Sequence, residues 1–359
     1  MKSRSLLQFT ATINRSFISH SAPSRSPFRA PSSPTTAIRK TQYSTMPRLN
    51  PKSQAAIDRL RSYKPPPTNY DLLPLTRRAA VLLLLYADSK GDLRIVLTIR
   101  AKTLSSYAGH AALPGGRADS LSETPLQTSR REAREEIGLP ETNASLPSPF
   151  NVEHLCELPA NLAWTELAVR PCVALLHSYD EKTGVNEDPE VSLIPRLDAR
   201  EVAAVFTAPF HNFLKQEDEA NVEAGPGEWY SGAWTEWHQS NWRMHQFFVP
   251  VRDKSVTKPK PRNQTPSQKH AVDKLSQDEY EREKAGQSTT RFRVHGMTAR
   301  MLVDAARVAY AEEPEFEHNS DFGDEEMITR LMRMGRLSAV RKPGDKLTRE
   351  DMQRAAKLS

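Results

Sequence analysis

The sequence predicts an α+β domain built on a mixed sheet, and two observations predict it. Apolar runs of strand length, "RAAVLLLLYAD" and "LRIVLTIRA", stand side by side with a short turn between them. Segments with a helical apolar period, "SQAAIDRLRSY" and "GMTARMLVDAARVAY", lie before and after, so strand and helix signals share one core pattern.

Taken in order, residues 53–63 read as a helix stopped by Pro65–Pro67. The two apolar runs form a hairpin about "DSKGD", where Gly91 supplies the positive φ. A loop with Gly109, Pro114, Gly115 and Gly116 leads into a helix at "ETPLQTSRREAREEIG". Thr124 caps it, Pro125 suits its first position, Gln127 completes a T-x-x-Q capping box, and Gly138 ends it. "FNVEHLCELPA" and "LAVRPCVALLH" read as strands. "RLDAREVAAVFTAPFHNFL" reads as a helix or turn followed by another helix, and "MHQFFVPV" as a strand. "FRVHGMTARMLVDAARVAY" is a strand entering an amphipathic helix, and "EEMITRLMRMGRL" is a further candidate helix. The expected organisation is a leader over 1–50, one domain over 51–310 with a polar, disordered insertion at 253–290, and a charged, partly helical tail over 311–359.

Charge narrows the function. The net charge is +6, but residues 1–57 carry nine Lys/Arg and no acid, so the remaining 302 residues sum to −3. A diffuse basic surface for a nucleic-acid polymer is not expected. In the leader, Leu6, Phe9, Ile13 and Phe17 share one helical stripe with Arg4 and Arg15 off it, as in a mitochondrial presequence. Initiation at Met46 would give a leaderless form, with a peroxisomal or cytosolic location as the alternative. The longest apolar run, residues 79–86, is far short of the ~20 residues that span a bilayer, so no membrane partner is expected. Cys156 and Cys172 lack metal or redox spacing and read as buried thiols.

The helix after Gly116 holds the chemistry. Leu126, Ser129, Ala133 and Ile137 form the stripe that packs on a sheet. Glu132, Glu135 and Glu136 form a second arc at i, i+3 and i+4, where like charges repel. Hard divalent cations, Mg²⁺ or Mn²⁺, reverse that penalty. A solvated charged face is the bland alternative for such a trio taken alone.

The trio has company at defined offsets: G116-x6-E123-x7-R131-E132-A133-x-E135-E136-x-G138-L139. This resembles the Nudix box, with a loop after Gly116 one residue longer than the general pattern and Ala133 where a bulky aliphatic is usual. The resemblance implies the Nudix fold, a mixed sheet sandwiched between helices with a loop–helix–loop catalytic box. It also implies hydrolysis of a small-molecule nucleoside diphosphate linked to another group. Glu132 and Glu136 are then the principal metal ligands. Glu135 is a ligand or the residue that activates water, Glu123 is a further ligand, and Arg131 holds the loop through a carboxylate.

Residues 96–116, "VLTIRAKTLSSYAGHAALPGG", resemble the additional motif of coenzyme A diphosphatases within that superfamily. Leu97, Thr98, Arg100, Leu104, Gly109, Pro114, Gly115 and Gly116 match; Ala101, Ser105 and Leu113 depart. The implied activity is cleavage of coenzyme A or its derivatives to 3′,5′-ADP and 4′-phosphopantetheine. Arg100, Gly115, Gly116 and Arg117 would face substrate, with Arg100 the first candidate for the 3′-phosphate and Arg117 the reserve; a strand-end salt bridge is the other role open to Arg100. Sanitation of oxidised nucleoside triphosphates and a catalytically silent nucleotide-binding regulator are the alternatives. Trp229, Trp234, Trp237 and Trp242 stack on substrate or cover the core. His110, His238, His245 and His295 read as structural, and Glu187, Asp188 and Glu190 as a loop that could supply a general base.

Overall fold

Asn50 starts the first helix, its side chain accepting the Ser53 N–H at 2.9 Å with Pro51 at the first helical position. The structure, a computed structural model, describes residues 49–100, 110–189, 193, 202–218, 227–237, 240–251, 290–340 and 346–358. Residues 1–48 of the leader, 253–289 of the insertion and the whole of 101–109 lie outside these residues, as do His238 and Glu190.

Helix α1 spans Pro51–Ser62 and is followed by strands β1 (Arg78–Ala87) and β2 (Leu93–Arg100). The hairpin between the strands is as expected: Gly91 has φ 80°, and the Asp88 carboxylate accepts the N–H groups of Lys90 and Asp92. Short strands β3 (Ala111–Ala112) and β4 (Gly115–Arg117) precede helix α2 (Pro125–Ile137). Then come β5 (Asn151–Glu157), β6 (Asn161–Leu162), β7 (Ala168–His177), the small hairpin β8 (Tyr179–Asp180) and β9 (Val185–Asn186), and β10 (Val202–Pro209). Strands β11 (Tyr230–Trp237), β12 (Ser240–Val251) and β13 (Thr290–His295) lead into helices α3 (Gly296–Tyr310), α4 (Glu325–Arg333) and α5 (Arg349–Ala356).

The main sheet runs β10-β2-β1-β7-β5, with β1 parallel to β7 and the other neighbours antiparallel, which makes it mixed. Strand β1 is an unbroken apolar run because both of its faces are covered. Leu83 and Leu85 enter a core shared with Ile57 and Leu60 of α1 and Leu302 of α3. Leu82, Leu84 and Tyr86 turn the other way, onto Ala133 and Ile137 of α2. The sheet is therefore sandwiched between helices. β11-β12-β13 form a separate antiparallel sheet whose Phe247, Val249 and Val294 join the first core.

One expectation is overturned. "VAAVFTAP", read as helix or turn, is strand β10, paired with β2 through Phe206 to Leu97 and Thr207 to Val96. Every residue from Val202 to Ala208 is buried. Burial on two faces leaves no polar stripe by which a strand could be told from an alanine-rich helix, and pairing overrides the local propensity.

The helix expected near "EEMITRLMRMGRL" is α4. With α5 it buries Ile328, Leu331, Met352 and Ala355 against Tyr70, Leu73 and Leu162. Arg170, almost fully buried, bonds Glu157 at 3.1 Å and Glu325 at 2.5 Å, joining α4 to the main sheet. Cys156 and Cys172 are buried free thiols, and burial pushes the Cys156 thiol up to about 12. Trp229 covers the core; Trp234 is exposed, its indole N–H on Glu317 and Arg243 over its ring. No helix among the described residues is long and apolar enough to cross a membrane.

Candidate active site

The capping box forms as the sequence predicts. Thr124 Oγ1 accepts the Gln127 N–H at 3.2 Å, and Gln127 Oε1 accepts the Thr124 N–H at 2.9 Å. At the other end Gly138 adopts φ 71°, a left-handed cap that a Cβ would strain. Between these ends, Ser129, Ala133 and Ile137 are buried and Leu126 is half-buried, so α2 is anchored to the sheet along its small-residue stripe. That seating presents the glutamate arc to Gly115 and Gly116 of β4.

Three arginines compensate the four carboxylates: Arg131, Arg100 and Arg134, whose Nη2 donates to Glu135 at 3.4 Å. Arg131 donates through Nε to Glu123 and through Nη1 to Glu132, each at 3.0 Å, and lies 3.6 Å from Glu135. Its Nη2 donates to the Arg117 carbonyl at 2.7 Å, so one guanidinium ties the loop to the helix. Glu136 is buried and faces a different pair: Gly115 N–H donates to its Oε2 at 3.0 Å, and Arg100 Nη1 lies 3.5 Å from its Oε1. Arg131 thus pairs with carboxylates of the box and with the loop backbone. Arg100, expected on a substrate phosphate, stands at the end of β2 in an ion pair with a carboxylate of the box, and its buried Nε has no hydrogen-bond partner among the described residues.

Environment separates the carboxylates. Burial raises Glu123, but Arg131, the Asp119 N–H and the Thr128 hydroxyl outweigh it and hold Glu123 below the usual carboxylate range. Glu132 is raised, because its burial outweighs the same arginine and Glu135 adds repulsion. Arg131 loses some basicity to burial and gains more from Glu123 and Glu132, so it is held protonated. Glu135 is the most exposed of the four.

Among the described residues no three Asp, Glu, His or Cys side chains already converge as a finished metal cage, because these carboxylates are turned to arginines. The donor set nevertheless fits a hard divalent cation. It is all oxygen, with Glu132, Glu135 and Glu136 on α2 and Glu123 just before its cap. A Cβ at Gly116 would lie 2.4 Å from the Glu132 carboxyl carbon, so the glycine leaves that carboxylate its space.

Asp119 and Thr128 were not singled out from the sequence, yet Asp119 Oδ2 is 3.4 Å from Arg131 and Thr128 holds Glu123 at 3.0 Å. The polar loop after Gly116 was the only hint. Arg117 is exposed and contributes its backbone carbonyl. Glu187 and Asp188 follow the β8–β9 hairpin. His245 is buried against Tyr230, a structural role as expected.

A mixed sheet between helices carries a glycine-containing strand and a capped helix that gather glutamates round an arginine. Residues 76–238 match the NUDIX domain family. It is 29% identical to peroxisomal coenzyme A diphosphatase 1 of Saccharomyces cerevisiae over 76% of this chain and 81% of that protein. It is 29% identical to mitochondrial Nudix hydrolase 15 of Arabidopsis thaliana over 67% of this chain and 61% of that protein. It is 37% identical to chloroplastic Nudix hydrolase 22 of Arabidopsis thaliana over 41% of this chain and 42% of that protein. The chain thus spans less than two thirds of either plant relative. Among solved structures, a Nudix hydrolase from M. smegmatis, RenU, is 21% identical over 38% of this chain and 72% of that chain, at a TM-score of 0.26.

Proposed function

We propose that this chain hydrolyses the diphosphate of coenzyme A or its derivatives, releasing 3′,5′-ADP and 4′-phosphopantetheine with Mg²⁺ or Mn²⁺. The observation that supports this reading is the meeting of two motifs: Arg100 of the 96–116 segment pairs with Glu136 of the box. The yeast relative, whose name carries that activity, is matched over most of its length.

Glu132 and Glu136 would hold the cation, with Glu123 as a further ligand. Bound there, Mg²⁺ or Mn²⁺ supplies charge stabilisation at the phosphoryl oxygens and an activated water. The chain does the positioning. Arg131 keeps the loop on the helix while Glu123 and Glu132 exchange partners. Arg100 Nε, without a partner among the described residues, donates to a phosphate oxygen as its Nη1 faces Glu136. Glu135, exposed at the edge of the arc, accepts a proton from the attacking water.

The test is a substrate panel with product identification by mass spectrometry: coenzyme A, an acyl derivative, dephospho-coenzyme A, ADP-ribose and 8-oxo-dGTP. Release of 3′,5′-ADP at the highest kcat/KM is expected from a coenzyme A form. Faster hydrolysis of 8-oxo-dGTP would replace this reading with nucleotide sanitation. Residues 1–45 direct the chain to mitochondria; a reporter fused to them and found only in peroxisomes or cytosol would overturn that.

A further inference from the structure

Strand β13 has two unlike faces. Phe292 and Val294 point to the core, Phe292 packing edge-on against Phe206 at 5.0 Å and Val294 fully buried. Arg293 and His295, one residue out of phase, share the opposite face. Across the ladder, Phe248 is paired with Arg293 and Gln246 with His295, both half-buried. One patch therefore offers an aromatic ring, a guanidinium, an imidazole and an amide.

The patch is electrostatically one-sided. Neither β12 nor β13 contains an Asp or Glu. Arg293 is exposed and forms no ion pair among the described residues, and the His295 ring has no hydrogen-bond partner among them. Beside it, a Cβ on Gly296 would meet nothing within 4 Å, so there is open space next to the imidazole. Burial and the charge of Arg293 hold both His110 and His295 below their ordinary values, His295 at about 4, which leaves neutral rings able to donate and Arg293 as the charge.

The patch also adjoins the catalytic carboxylates. The His110 and His295 rings stand 4.6 Å apart, and the His110 carbonyl accepts the Arg100 N–H at 3.0 Å. Arg100 in turn reaches Glu136 at 3.5 Å. Since Arg100 is committed to the box, a second anionic group on the substrate needs another cation, one strand spacing or more away.

We propose that this face of β12–β13 is the subsite for the nucleoside end of the substrate, Phe248 stacking on the base and Arg293 with His295 taking its phosphomonoester. The assignment rests on the coenzyme A reading, because that substrate carries a monoester remote from the scissile bond. Stacking on a ring and pairing with a guanidinium are the usual means of holding a base and a phosphate.

The experiment compares coenzyme A with dephospho-coenzyme A in the full chain, wild type against Arg293→Ala and Arg293→Lys. Binding of 3′,5′-ADP and 5′-AMP is measured by calorimetry alongside. A charge-assisted contact predicts a wild-type preference for coenzyme A of about ten- to a hundred-fold in kcat/KM. Arg293→Ala loses most of that ratio, Lys restores part of it, and 3′,5′-ADP affinity falls by a similar factor while 5′-AMP changes little. Arg293 is exposed, so folding is not at stake; Phe248→Ala, checked by its Tm, weakens both substrates alike. A coenzyme A preference untouched by Arg293→Ala, or no preference in the wild type, overturns the subsite and leaves the coenzyme A reading standing. Failure of the wild type to cleave coenzyme A overturns that reading, and the 3′,5′-ADP arm then decides on the face alone.

Discussion

Replacing Gly116 with alanine separates catalysis from stability. The new Cβ would sit 2.4 Å from both the carboxyl carbon and Oε2 of Glu132. Ordinary contact begins near 3.5 Å, so the carboxylate must retreat by about 1 Å. Glu132 is the free end of a flexible side chain and can move, at the expense of its 3.0 Å bond to Arg131. The fold should lose only about 1 kcal/mol, the worth of a half-buried charge-assisted bond. A catalytic group misplaced by about 1 Å costs about a hundred-fold in rate, or about 2.7 kcal/mol in the barrier. The neighbouring Gly115→Ala is the contrast. There the Cβ would meet the Ala80 carbonyl oxygen at 2.3 Å and Val81 Cα at 2.6 Å, backbone atoms of β1 that cannot yield cheaply. That variant should lose about 1–3 kcal/mol or more of stability by overpacking. Chemical denaturation and steady-state turnover at saturating Mg²⁺ on the same preparations read both quantities. A folded Gly116→Ala protein with wild-type turnover would refute the claim that the glycine keeps Glu132 in its working position.

Glu136→Gln preserves shape, since its amide oxygen can still accept the Gly115 N–H, but removes one ligand charge; turnover at saturating Mg²⁺ should fall by about two orders of magnitude or more. Mn²⁺ affinity by electron paramagnetic resonance should fall with it, and unchanged values of both would defeat the metal assignment. His245 is buried and depressed from its ordinary 6.5 to about 3, chiefly by burial. The unfolded chain takes up that proton first, so the stability this residue contributes is complete above pH 6.5. It is lost as pH falls toward 3 and amounts to on the order of 5 kcal/mol. Proton NMR should find the ring neutral at pH 5; a charged ring there would contradict the burial. Truncation after residue 310 exposes Tyr70 and Leu73 and leaves buried Arg170 without Glu325. Several kcal/mol should be lost from the apolar side chains alone, and a cooperative melt at the full-length Tm would refute the bracing role of α4 and α5.

What the sequence determined by itself is local. The caps of α2, its small-residue stripe and its glutamate arc depend on neighbours three and four residues apart, and a helix converts that spacing directly into geometry. The hairpin at Gly91 was legible for the same reason, and so was the pairing of Arg131 with a carboxylate. Tertiary structure decided how each charge was used. Glu136 turns to the amide of Gly115, twenty-one residues earlier, and to Arg100, so it parts company with the cluster round Arg131. Only the seating of α2 on β1 could bring those groups together. Strand β10 was unreadable because burial on both faces erases the period that marks a strand. The face of Phe248, Arg293 and His295 was hidden more deeply. Its residues come from strands separated by the 252–289 segment, and only the register of the β12–β13 ladder sets the ring beside the guanidinium. Spacing along a chain carries no information about pairing across such a gap, because register is a property of the folded sheet.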